Sequence, residues 1–67
     1  MQGRNKFQIA EWAVDLAEIH LLRQMEIIEE LRRDGHSPVE PERLLKLFEE
    51  TLNTHQQTLD DLRAAQL

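Results

Sequence analysis

Two histidines and one glutamine lie among apolar residues in an otherwise regular helical pattern. His20 and Gln24 are one helical turn apart, and His55 lies in the centre of a second apolar stripe. At about 100° per residue, all three fall inside the apolar arcs rather than on the polar faces. Imidazole nitrogens bind zinc, copper, nickel or iron, and they also form hydrogen bonds with amides. The pattern therefore indicates either a polar layer inside a helical bundle or a metal site.

A hydrogen-bonded polar layer is the interpretation we favour for His20, Gln24 and His55. An antiparallel hairpin that turns near Ser37 would place His55 at the height of His20 and Leu21. Buried polar groups cost stability unless they pair, and such layers fix the register and subunit number of bundles. The layer would then form within one hairpin or across a dimer axis.

Two functional alternatives use the same histidines. A two-fold dimer would bring together two copies each of His20 and His55, which could bind a transition metal, whereas haem ligation has less support. No acidic residue lies in either apolar arc, which argues against a di-iron carboxylate centre. A pH-sensitive interface is also open, because protonation below about pH 6 would place charge in the core. We otherwise expect no cofactor.

Nothing in the sequence predicts an enzyme. The chain has no cysteine, no phosphate-binding glycine loop and no nucleophile with a base at suitable spacing. Thr51, Thr54 and Thr58 have only His55 as a potential activating group, so packing is the simpler role. His36 is expected to be a capping or solvent-facing residue in the turn.

The elements that must position these residues are two helices. Asn5 and Gln8 have the spacing of a capping box, which predicts a first helix over about 5–34. Gly35 is expected to adopt the left-handed conformation that ends it, with the turn over 35–37. A second helix should run over about 38–66, and its start is open between Pro38 and Pro41.

The apolar arc of each helix covers about half of its circumference, which one partner helix cannot cover. The arc residues are Phe7, Ile9, Ala10, Ala13, Val14, Leu16, Ala17, Leu21, Met25, Ile27, Ile28 and Leu31 in the first helix, and Leu44, Leu45, Leu47, Phe48, Leu52, Leu59, Leu62 and Ala65 in the second. A chain of 67 residues without disulfides also has a marginal core. We therefore predict a single all-α domain over 1–67, an antiparallel two-helix hairpin that dimerises into a four-helix bundle.

Two surface features could bind another protein. Glu11, Asp15 and Glu18 belong to an acidic stripe, for which a solvated outer face is the simpler interpretation. Trp12, Ile19 and Leu22 could form an apolar patch, for which contact within the dimer is the simpler interpretation. Docking of a protein partner is the alternative for both.

The formal net charge of −5 argues against generic binding to nucleic acid or anionic lipid. A small RNA-binding hairpin dimer is an alternative only if Arg4, Lys6 and Arg63 form a basic strip. No apolar run reaches the length of a membrane span, and the polar start has no signal core, so we expect a cytoplasmic protein.

The residues from Glu18 to His36, followed by Leu44 to His55, resemble small helical proteins of alphaproteobacteria that have no known function. The shared pattern is a His with a following Arg-Gln, an Ile-Ile pair, an Asp-Gly-His turn, a Leu-Leu-x-x-Phe-Glu run and a late His. The resemblance implies a helical hairpin and no particular activity. We therefore expect a non-enzymatic, homo-oligomeric interaction or regulatory module, with metal sensing and RNA binding as alternatives.

Overall fold

The computed structural model describes residues 5–65, which form two α-helices, α1 (Lys6–Arg33) and α2 (Val39–Ala65). The side chain of Asn5 accepts a hydrogen bond from the amide of Gln8, and the side chain of Gln8 accepts one from the amide of Asn5. This reciprocal pair satisfies two amides that the first turn leaves without helical partners. It confirms the predicted capping box.

The C-terminus of α1 ends in a left-handed glycine, as predicted. Gly35 has a φ of 79° and donates to the carbonyl of Arg32, while His36 donates to the carbonyl of Leu31. These two bonds form a Schellman motif, in which glycine avoids the steric cost of a left-handed side chain. The chain therefore reverses sharply after α1.

Helix α2 begins between the two alternatives that the prolines left open. Its first helical residue is Val39, and the amide of Glu42 donates to the carbonyl of Pro38 at 2.8 Å. Pro41 thus lies in the first turn, where its missing N–H removes no helical hydrogen bond. A salt bridge between Arg32 and Glu42 joins the two helix ends next to the turn.

The two helices pack antiparallel as an α-helical hairpin, but the core between them is thin. Ala10, Val14 and Leu59 form its largest buried cluster, with Phe7, Leu52 and Leu62 packed against them. No side chain in residues 5–65 is completely enclosed. The hairpin is a slab of 50 × 25 × 13 Å, one helix thick. Neither helix in the described range is long and apolar enough to cross a membrane.

Candidate functional site: an apolar groove with two histidines

Both histidines of the predicted polar layer line one groove on a broad side of the hairpin. The groove has a volume of about 350 Å³, and its walls come from both helices. The residues that line it are Trp12, Ala13, Leu16, Ala17, His20, Phe48, Thr51 and His55. Apart from the two imidazoles, Thr51 and the Trp12 ring nitrogen, these side chains are apolar.

Phe48 is the residue of α2 that meets His20. Their ring centroids are 5.8 Å apart and the planes are tilted by 46°, a common aromatic arrangement. His55 follows Phe48 by seven residues, about two helical turns, and lies further along the same groove. The expectation that His55 lies at the height of His20 is therefore wrong. His20 is exposed and His55 is half-buried. One hairpin therefore brings the two imidazoles to one surface without enclosing them.

Gln24 lies apart from both histidines. It is 6% exposed, and its side-chain amide donates a 2.9 Å hydrogen bond to the carbonyl of Pro41. No hydrogen bond joins Gln24, His20 and His55 to one another anywhere in residues 5–65. Within one hairpin, Gln24 therefore anchors the first turn of α2 to the middle of α1, and the predicted network does not form.

Replacement of this amide by a carboxylate should weaken the hairpin. We expect Gln24→Glu to lower the free energy of unfolding by about 1 to 3 kcal/mol at pH 7, because a buried carboxylate would face the Pro41 carbonyl. Gln24→Met buries no charge and should cost less. Urea unfolding of both variants at pH 7 and pH 4 measures their free energies of unfolding. Equal stabilities of Gln24→Glu and Gln24→Met at pH 7 would contradict the anchoring role.

The groove is the centre of a wider apolar surface, which we call the open face. At about 100° per residue, several exposed apolar side chains lie on the same side of the hairpin as the groove. These are Ile9, Trp12, Leu16, Ile19 and Ile27 on α1, and Leu44 and Leu47 on α2. The open face therefore runs along most of the hairpin.

The other broad side of the hairpin is acidic, and we call it the acidic face. Glu11, Asp15 and Glu18 line a cleft there together with Asp60 of α2. Arg63 also borders this cleft, and its guanidinium carbon lies 5.8 Å from the centroid of the Phe7 ring. The predicted acidic stripe is therefore one wall of a cleft between the helices.

The predicted apolar patch is divided between the two sides. Trp12 lines the groove, and Ile19 lies seven residues later on nearly the same stripe. Leu22 comes one turn after Glu18 and lies on the acidic face, where it is 61% exposed. Trp12 and Ile19 thus belong to the open face, and Leu22 does not.

The predicted metal site requires two copies of the hairpin, so it stays a prediction. Within residues 5–65, no three His, Asp or Glu side chains are grouped closely enough to hold a metal ion. Arg4, part of the predicted basic strip, lies outside the described residues. The sequence analysis did not predict that Phe48 contacts His20 or that the Pro41 carbonyl accepts a hydrogen bond from Gln24. Of these two partners, only Phe48 could have been recognised from the sequence, because its helical spacing places it in the apolar arc of the second helix.

Comparisons with protein-family models, curated proteins and solved structures gave no match.

Proposed function

We propose that the protein is a homodimeric interaction module in which two hairpins pack through their open faces as a four-helix bundle. The observation that supports this best is the row of exposed apolar side chains on one side of the hairpin. Exposed apolar patches of this extent on small proteins usually mark interfaces. A second copy supplies the same elongated apolar surface, which allows a two-fold, self-complementary contact.

The accessible surface area of the hairpin supports a partner of the size of a second copy. The accessible surface of the hairpin is 5504 Å², whereas a compact protein of 7.9 kDa should expose about 4,400 Å². The excess is roughly 1,100 Å², and a stable interface buries about 800 Å² on each partner. A single additional hairpin is therefore sufficient to cover the excess.

The dimensions of the single hairpin support the same proposed assembly. The radius of gyration is 15.6 Å, whereas a compact domain of this length should have about 11 Å and one of twice the length about 14 Å. Two slabs stacked on their broad sides would give a body as thick as it is wide. That body would also supply the core that one hairpin lacks.

Charge favours the open face over the acidic face as the contact surface of the proposed dimer. Each chain has a formal charge of −5, and Glu11, Asp15, Glu18 and Asp60 lie on the acidic face. Like charges repel when two such faces meet, whereas the open face has no carboxylate in the groove at its centre. The dimer would therefore have an apolar interior and acidic outer faces, the surface that remains for solvent or a further partner.

The mass of the untagged protein in solution tests the proposal. Sedimentation equilibrium from 1 to 100 µM should give twice the chain mass at high concentration, and native mass spectrometry should show the same species. A helical, thermally stable monomer at 100 µM would overturn the proposed function. A tetramer would show that the acidic faces also associate.

A further inference from the structure

We propose that His20 and His55 make this dimer pH-dependent, so that acidification separates the two hairpins. The inference rests on the proposed function, because the histidines become enclosed only when a second copy covers the open face. Imidazole is the side chain whose ordinary titration falls between pH 5 and 8. In the separate hairpin, both side chains reach solvent from the groove that they line.

Both histidines lie near the middle of their helices. His20 is the fifteenth of 28 residues in α1, and His55 is the seventeenth of 27 in α2. Two slabs 50 Å long bury the most surface when they overlap along their whole length. The central residues of one copy then lie opposite the central residues of the other, in either direction of packing. Four imidazoles would therefore lie near the centre of the interface.

Within residues 5–65, no carboxylate lines the groove that contains the two imidazoles. His20 contacts Phe48 of α2, and the groove that both imidazoles line is otherwise formed by Trp12, Ala13, Leu16, Ala17 and Thr51. The helical neighbours three and four positions away are Leu16, Ala17, Arg23 and Gln24 for His20, and Thr51, Leu52, Thr58 and Leu59 for His55. Among these groove residues and helical neighbours, the only charged residue is Arg23, a cation, although the chain has 13 acidic residues. The second copy adds the same central side chains.

The direction of the pH dependence follows from these surroundings. A protonated imidazole is hydrated in the separate hairpin and unpaired in the apolar interface, so the separate hairpins bind more protons than the dimer. The dimer is therefore strongest at neutral pH and weakens as the pH falls. Each proton taken up on dissociation raises the Kd by up to about tenfold per pH unit.

General charge would act in the opposite direction. Protonation of surface carboxylates in acid reduces the repulsion between two chains that each have a formal charge of −5. A protein without the two histidines should therefore associate as tightly at pH 5.0 as at pH 7.5, or more tightly. This opposite trend makes the histidine effect identifiable.

The test measures the Kd of the untagged dimer from pH 7.5 to pH 5.0 by sedimentation, with 1 mM EDTA present. Emission from Trp12, the only tryptophan, reports closure of the groove independently. We expect the wild-type Kd to rise at least about a hundredfold over this range. His20→Gln/His55→Gln should abolish the rise, and His36→Gln, which changes the loop histidine, should leave it unchanged.

Several outcomes separate this inference from the proposed function. A dimer at pH 7.5 with an unchanged Kd at pH 5.0 overturns the inference alone, whereas a monomer at pH 7.5 overturns the proposed function. A dimer that dissociates in EDTA at pH 7.5 also overturns the inference, because its imidazoles would hold a metal. If the double variant does not fold, calorimetric dilution of the wild type in two buffers measures proton uptake, and zero uptake overturns the inference.

Discussion

Leu47→Glu is expected to convert the proposed dimer into largely unfolded monomers at micromolar concentration, while Leu22→Glu leaves it folded and dimeric. The two leucines are matched in a single hairpin, in which Leu47 is 57% exposed and Leu22 is 61% exposed. Leu47 lies on the open face and Leu22 on the acidic face. A carboxylate at position 47 would be buried twice in each dimer, and burial of a charge costs several kcal/mol per ion.

Sedimentation mass and the circular dichroism signal at 222 nm measure the effect at 10 µM. Because both side chains face solvent in the separate hairpin, a difference between the variants reports the partner and not the hairpin itself. Two variants with wild-type mass and helicity would place the interface elsewhere. Loss of the dimer in Leu22→Glu alone would assign the contact to the acidic face.

The second large effect is expected from Leu59→Ala in the thin core between α1 and α2. Leu59 is 7% exposed and packs in the cluster with Ala10 and Val14. Truncation of a buried leucine costs about 2 to 5 kcal/mol per chain. A domain of this length is stable by roughly 3 to 10 kcal/mol, so the variant should retain little folded protein at 37 °C.

Urea titration at a fixed protein concentration measures this loss, because the stability of a dimer changes with concentration. Leu22→Ala is the matched control, since it removes the same atoms from an exposed position and should change stability by less than about 0.5 kcal/mol. Equal unfolding midpoints for the two variants would mean that Leu59 is not part of the core.

The local features of the fold could be predicted from the sequence because they depend on residues that lie a few positions apart in the chain. Asn5 and Gln8 form their capping box through residues three positions apart, and Gly35 ends α1 because only glycine adopts φ near 79° without strain. The two prolines interrupt the helical pattern over a few residues, and so short an interruption predicted a hairpin. These signals need no knowledge of the tertiary packing.

The alignment of one helix against the other could not be read in the same way. It depends on the path of residues 34–38, where Pro38 supplies the first helical acceptor of α2 and moves the helix start between the two expected positions. His20 consequently meets Phe48, and His55 lies further along the groove. Gln24 donates a hydrogen bond to the Pro41 carbonyl. Every residue has a backbone carbonyl, so the sequence does not indicate which one will accept this bond.

The thickness of the slab, 13 Å, has a consequence for how the amount of this protein would be controlled in a cell. In the proposed dimer the chain completes its core only on meeting a copy, so the amount of folded protein would rise with the square of the chain concentration when the chain is scarce. Newly made chains would then be open to proteases until enough of them accumulate. Halving the synthesis rate would remove more than half of the assembled protein, which would make its steady-state level unusually sensitive to gene dosage.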